Sequence, residues 1–355
     1  MDHPHLDLAL VTLGDPDRLT GGYLYHRRMA ALAPQHRATV RFVSVPDRPF
    51  PLPALAARAP VREAAAADAI VVDSIAAAFV APWLRRERIA PVVASIHQRP
   101  GGIDHGPLRR ALQAPLDRMA YRRAQVLIVA SESLADRLAE EGFARERIRV
   151  VPPGRDVAPA PASEPEDLRR GRAIALLCVA NWIPRKDVLS LLDALAGLPA
   201  DTATLHLAGD DRAGPYADRV RERLADPALA DRVVVHGPVS SEGIAALYRD
   251  ADAFVLPSLE EPYGTVYGEA MAAGLPVVGW RAGNLPRLAR DGREGLLLDP
   301  RDIEGLARAI ASLAGDPELR ERLGRAARQA AARWPTWAES AGMFFAAIRE
   351  AVAAQ

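Results

Sequence analysis

Short apolar runs recur along the chain at the length of buried strands, and each is followed by polar or helical sequence. Leu6–Leu13 is the first, and it ends in the turn signal Gly14-Asp15-Pro16-Asp17. Gly21-Gly22 then opens a helical stretch through Ala33, which Pro34 ends. Thr39–Val45, Ala69–Val72, Pro91–Ile96, Gln125–Ala130 and Ile148–Val151 read as further strands. Buried runs that alternate with helices predict a parallel sheet covered on both faces.

The pattern breaks at Val157–Glu166, VAPAPASEPE, which has three prolines and neither helical nor strand period. Beyond it the alternation restarts: Ala173–Ala180, a helix near Val188–Ala196, Ala203–Ala208, Arg232–His236, Ala253–Pro257, Pro276–Gly279 and Gly295–Leu298, then a helical tail from Asp302. The expected organisation is one α/β domain over 1–156, a linker over 157–170 and a second α/β domain over 171–337. Both are doubly wound, and ligands of such sheets sit beyond the carboxyl ends of the strands.

Composition narrows the classes. The 355 residues are 49% hydrophobic, enough for two cores. The 45 basic and 45 acidic residues balance to zero, which argues against a general nucleic-acid binder. One cysteine, Cys178, lies in an apolar run and reads as a buried strand residue, with no disulfide to make. The N-terminus shows no signal-peptide pattern. The longest apolar candidate, Ala69–Trp83, is interrupted by Asp73, so no spanning helix is expected and the default address is the cytoplasm.

The densest chemistry lies in Pro257–Val278. A strand ends near Pro257, a polar loop carries Pro262 and Gly264, and a helix is predicted from about Thr265 to Gly274. The start of such a helix aims free N–H groups and a partial positive charge at whatever lies beyond the strand ends, an anion site. Glu261 falls just before this helix and Glu269 about one turn inside it. One carboxylate can face a group on one side of a bound diphosphate, and the other can accept from diol hydroxyls. Lys186 is the only lysine in the sequence.

The spacing Glu261-x7-Glu269 within PS-x-x-EPYG-x-x-x-x-EAMA-x-G-x-PVV resembles the signature of the retaining glycosyltransferases of the family-4 type. Val150-Val151-Pro152-Pro153-Gly154-Arg155-Asp156, the segment Cys178–Asp187, Leu207–Asp210, His236–Val239 and Asp299–Asp302 match further motifs of that family in the same order. Two departures stand out. Asn181 replaces a usual arginine, and Gly283-Asn284-Leu285-Pro286-Arg287 replaces a usual G-G-x-P-E.

The resemblance implies a GT-B fold, two facing doubly wound domains with a cleft between, and a last helix over 338–355 that packs back on the first domain. It implies a retaining hexosyltransferase that uses a nucleoside-diphosphate sugar, UDP- or GDP-linked, as substrate, with no cofactor and no metal. The first domain would bind the acceptor and the second the donor. Glu261 would bind the transferred sugar, Glu269 the ribose, and Lys186 with Arg185 the diphosphate. Backbone near Val239 would meet the base, and backbone at Gly264, Thr265 and Val266 the phosphates or sugar. His97, at a strand end, would face the donor sugar or the acceptor, and Gly22 would approach the donor phosphates and the acceptor. The other histidines carry no such context.

Rival readings on the same scaffold are a nucleotide-sugar epimerase, a phosphorylase, or a non-catalytic sugar-binding module. The expected partners are the nucleotide-sugar donor and a sugar, lipid-linked or small-molecule acceptor. Asp15-Pro16-Asp17 is a D-x-D string, but Asp beside Pro is ordinary turn chemistry, and no metal site is expected. Arg109, Arg110, Arg118, Arg122 and Arg123 form one basic helical stretch. Its ordinary role is a solvated face, and its functional one is contact with anionic lipid on the inner face of the membrane or with a lipid-carried acceptor.

Overall fold

The computed structural model describes residues 4–17, 21–84, 90–155, 164–211 and 214–354. Asp156 and residues 157–163 of the expected linker lie outside them. The chain divides into two compact units, one of residues 1–154 with 335–355 and one of 155–334.

The first unit holds six parallel strands: β1 (Leu6–Leu13), β2 (Ala38–Val45), β3 (Ala69–Asp73), β4 (Val92–Ile96), β5 (Val126–Val129) and β6 (Ile148–Val150), in the order β2-β1-β3-β4-β5-β6. Strand periodicity sends alternate side chains of β1 to opposite faces. Leu8 and Leu10 pack with Tyr25 and Met29 of the helix Gly21–Leu32 and with Phe344, Phe345 and Ile348 of the helix Trp337–Ala353. Ala9 and Val11 join the opposite core with Val61, Phe79 and Leu138. Each large side chain so buried contributes about 1.5–3 kcal/mol. The last helix starts on a capping box between Thr336 and Glu339. Ser340 Oγ on it donates to Pro152 O at 2.8 Å. The apolar run interrupted by Asp73 is strand β3, a turn and the buried helix Ala77–Leu84. Among the described residues no helix is long and apolar enough to cross a membrane.

The second unit holds β7 (Ile174–Val179), β8 (Ala203–Ala208), β9 (Val233–Gly237), β10 (Ala253–Val255), β11 (Val277–Trp280) and β12 (Gly295–Leu298), all parallel, in the order β12-β11-β10-β7-β8-β9. Residues 164–170, within the expected linker, pack on this unit. Leu168 is buried in its core, and Thr204 Oγ1 donates to Arg169 O at 2.6 Å. Cys178 is buried in β7, and its thiol is pushed up to about 12, mainly by burial, which makes it an inert strand residue.

The two strand orders place their reversals differently. In the first unit the chain turns outward on either side of β1 and β3; in the second, on either side of β7 and β10. The carboxyl ends flanking such a reversal are where an open α/β sheet leaves room for a ligand.

Candidate active site

In the second unit Arg185, Lys186 and Glu261, all singled out from the sequence, gather at the β7/β10 reversal. After β7 the chain runs through Asn181 into a single helical turn, Pro184–Lys186, closed by Asp187 at φ 52°. After β10 it runs through Ser258–Glu261. The two loops are stitched together: Leu259 N–H donates to Arg185 O at 2.7 Å and Ser258 Oγ to the same oxygen at 3.1 Å. This brings Lys186 Nζ onto Glu261 Oε2, with Arg185 Nη1 3.6 Å from the same oxygen. Arg185 Nη1 also donates to Glu260 O at 3.1 Å. The three side chains are only 10–20% exposed, so their charges meet in a partly desolvated mouth where ion pairing strengthens.

Asn181, at the position of a usual arginine, serves the local backbone. Its side chain is exposed, and its Oδ1 accepts from Asp210 N–H at 3.0 Å, pinning the loop that follows β8. The second cation of this mouth comes from Arg185.

The helix Thr265–Ala273 starts at Gly264, whose φ of 91° suits glycine, and stops at Gly274. Its first residue, Thr265, is four positions beyond Glu261. Glu269 lies on its exposed side and accepts from Tyr248 Oη at 3.0 Å. Burial, and then the Glu269 charge, hold the Tyr248 hydroxyl well above its ordinary pKa, so it remains a donor. Tyr248, on the helix Ser241–Asp250, carries no sequence signal that sets it apart from a core aromatic. The Asn284 departure is structural, and the glycine before it is required. A Cβ on Gly283, at φ 57°, would lie 2.6 Å from Glu261 N. Asn284 N–H donates to Glu261 O at 2.9 Å, and its Nδ2 donates to Tyr263 O at 2.8 Å. This segment therefore clamps the Glu261 loop. Val239 lies beyond β9 with its side chain against Gly243.

In the first unit, His97 follows β4, and Gly22 opens the first helix beside it. A Cβ on Gly22 would lie 3.8 Å from the His97 ring. The expectation that the other histidines lack context is corrected here. His26, fully buried on the same helix as Gly22, places its Nε2 3.1 Å from His97 Nε2. Ser95 Oγ lies 3.0 Å from the first nitrogen and 3.2 Å from the second. Asp73 Oδ2 lies 3.4 Å from His26 Nδ1 and accepts from Thr12 Oγ1 at 2.9 Å. These residues sit at the carboxyl ends of β1, β3 and β4, around the β1/β3 reversal. Burial works to raise the Asp73 carboxyl, but the neighbouring His26, with His97 and Thr12, takes it below its ordinary value. His97 is pushed down to about 3, by burial first and then by His26, against the pull of Asp73. It is therefore a neutral ring at physiological pH.

His26, Asp73 and His97 also bring three donor atoms within 4.8 Å of one another, the one such group among the described residues with spacing for a divalent cation. The D-x-D string is a turn, in which Asp17 N–H donates to Asp15 Oδ1 at 2.9 Å.

The basic helix, Pro107–Arg123, spends its arginines internally. Arg118 pairs with Glu141 at 2.8 Å, and Arg110 and Arg123 donate to His105 O and Leu84 O. Arg109 and Arg122 lie over the rings of Phe50 and Phe143. The same helix carries the buried Asp117, which accepts from Gly101 N–H at 2.8 Å and so holds the loop that leaves His97. Burial, against those hydrogen bonds, pushes its carboxyl up to about 7.

Two family models match the chain in series. "Glycosyltransferase Family 4" matches residues 7–158, and "Glycosyl transferases group 1" matches residues 162–330. A GDP-mannose-dependent alpha-(1-6)-phosphatidylinositol monomannoside mannosyltransferase of Mycobacterium tuberculosis is 30% identical over 279 residues, 74% of this chain and 71% of that protein. A D-inositol 3-phosphate glycosyltransferase of Xylanimonas cellulosilytica is 31% identical over 74% of this chain and 67% of its own length. Sucrose-phosphate synthase of Thermosynechococcus elongatus superposes with a TM-score of 0.82 at 22% identity, over 99% of this chain and 100% of that one. Anabaena HepE, solved with UDP and glucose, gives 0.77 at 21% identity, over 98% and 100%. The fold is GT-B. With both units matched and relatives at this identity and coverage, the chain belongs to glycosyltransferase family 4 and is a glycosyltransferase.

Proposed function

We propose that this enzyme transfers a hexosyl group from a nucleoside-diphosphate sugar to an acceptor hydroxyl, with retention and without a metal ion. The observation that carries the reading is the Lys186–Arg185–Glu261 cluster at the β7/β10 reversal, next to the start of the helix Thr265–Ala273. A donor diphosphate would draw Lys186 and Arg185 as counter-charges, together with N–H groups at Gly264–Val266. Glu261, relieved of part of its ion pair, would accept from hydroxyls of the departing sugar. Glu269, oriented by Tyr248, would hold the ribose, and backbone near Val239 would meet the base. The second unit is thus the donor domain and the first, with Gly22 and His97, the acceptor side.

Transfer would break the bond between the anomeric carbon and the diphosphate oxygen and form one to the acceptor oxygen on the same face. The acceptor proton would go to the leaving phosphate, whose growing charge Lys186 stabilises. Relatives named for GDP-mannose and a neighbour solved with UDP-glucose support a UDP- or GDP-linked donor. A relative named for a phosphatidylinositol mannoside supports a lipid-linked acceptor among the candidates. The reading places the enzyme in the cytoplasm. Leu108 and Leu112, exposed on the helix Pro107–Arg123, would serve peripheral contact with the inner face of the membrane.

A thermal-shift panel of UDP- and GDP-sugars identifies the donor. A ligand at about 100 times its Kd stabilises the fold by about 2.7 kcal/mol, and no shift with any member would refute the donor reading. Turnover should survive dialysis against EDTA; loss restored by magnesium or manganese would refute metal independence. NMR of the fresh product reads the anomeric configuration, and an inverted linkage would refute retention.

A further inference from the structure

The cluster at the β1/β3 reversal has a direction, set by which atoms face which. Asp73 is held from both sides. Thr12 Oγ1 donates to its Oδ2, and Ser74 Oγ and Ile75 N–H reach its Oδ1, each at 3.3 Å. Oδ2 also faces His26 Nδ1, a fully buried nitrogen that makes no hydrogen bond of good geometry and has this oxygen 3.4 Å away. An ionised carboxylate offers only lone pairs, so a His26 with one ring hydrogen carries it on Nδ1; a second hydrogen, on Nε2, would point at His97 Nε2 and reverse the pattern. With the one hydrogen on Nδ1, its Nε2 is an acceptor. It is filled by His97 Nε2–H directly, or by Ser95 Oγ–H, which in turn accepts from His97 Nε2–H. Either route gives the same result at His97. Nε2 carries the hydrogen and Nδ1 is bare, and among the described residues no hydrogen bond engages that Nδ1.

We infer that Asp73 and His26 are positioning residues that lock His97 in the Nε2–H tautomer, so that it offers a hydrogen-bond acceptor at Nδ1 to a sugar hydroxyl. This rests on the proposed function only in its last clause, the role of His97 toward sugar. A hydroxyl that donates to a neutral imidazole gains electron density on its oxygen without the ring taking a charge. The lock also excludes a ligand that could only accept at that point, such as a phosphate oxygen. Phosphate recognition would then fall to groups other than His97.

The test is long-range 1H–15N NMR of the full chain carrying 15N-histidine. The expected wild-type spectrum shows His97 with a bare Nδ1 and a protonated Nε2. A hydrogen on Nδ1 would overturn the inference with no variant needed. In Asp73→Asn, Ile75 N–H keeps the amide oxygen at the Oδ1 position, so the amide nitrogen faces His26 Nδ1 and both rings must reverse. An aspartate-to-asparagine change beside a histidine keeps geometry while imposing the wrong tautomer. Reversal at His97 should accompany a roughly ten- to hundredfold fall in kcat. Affinity for the free nucleoside diphosphate should be unchanged. An unreversed His97 in a folded variant overturns the lock. Reversal with unchanged kcat leaves the lock standing and overturns the role of His97 in transfer. Loss of both ring signals on stoichiometric zinc, restored by EDTA with the opposite tautomer, would make the cluster a metal site and overturn the lock.

Discussion

The two sheets place their functional residues by the same topological device and furnish it with opposite chemistry. At the β7/β10 reversal, two cations share one carboxylate in a mouth that remains partly open to water. At the β1/β3 reversal, Thr12, His26, Ser95 and Asp73 are all at most 2% exposed, and the Asp73 carboxylate is held by hydroxyls of Thr12 and Ser74 instead of by a lysine or arginine. Charged side chains on loops can exchange partners when a ligand brings its own charge. A closed hydrogen-bonded set cannot, and it delivers instead one fixed donor–acceptor pattern. On the proposed reading, the second unit answers a charged ligand and the first reads a neutral one.

The largest expected effect comes from breaking the charged site. Lys186→Ala should lower kcat by roughly 10²–10³-fold, about 2.7–4 kcal/mol, as for a lost oxyanion donor. Steady-state kinetics with the donor measure it, alongside a thermal melt, because Glu261 loses a partner. Wild-type turnover in a folded variant would remove the lysine from the chemistry.

The two glutamates should then fail differently. Glu261→Gln should reduce kcat about ten- to hundredfold, the loss of a hydrogen bond to a charged group, with free-nucleotide affinity nearly intact. Glu269→Gln should weaken nucleoside diphosphate and donor by a similar factor and mostly raise KM. Calorimetry beside kinetics separates them. The opposite pattern would place the donor the wrong way round on the helix Thr265–Ala273.

The first unit can be probed through stability. Asp117 releases its proton near pH 4 when unfolded and near 7 when folded. Between those values the folded state binds more protons, so stability falls as pH rises, by up to about 1.4 kcal/mol per pH unit from this group. Urea midpoints from pH 4 to 8 should show Asp117→Asn losing that part of the slope. Equal slopes for both proteins would mean that the carboxyl titrates near its ordinary value.

The smallest effect expected is that of Tyr248→Phe. It removes one hydrogen bond to Glu269 and should cost about 0.5–1.5 kcal/mol in nucleotide affinity, read by calorimetry. A loss as large as that of Glu269→Gln would make the tyrosine a ligand contact in its own right.

The sequence by itself determined the strands and singled out the residues of the charged cluster. All twelve strands lie within two residues at either end of the runs that announce them; the central ones are legible because a buried parallel strand must be apolar on both faces, while the edge strands β2 and β9 keep exposed positions. The helix Thr265–Ala273 follows from Gly264 and Gly274, and Glu261, Glu269 and Lys186 stand out by motif spacing. Tertiary structure decided which residues share a site. Asp73 looks like a mere break in an apolar run, and His26 like one histidine among eight. Nothing local distinguishes them, because 47 residues separate them in the chain and parallel pairing of β1 with β3, and of β3 with β4, is what brings their loops together. The ion pair of Lys186 with Glu261 has the same origin across 75 residues. Residue types and their spacing are written along the chain, but the lone pair that faces a given hydrogen is fixed only when non-neighbouring strands come side by side.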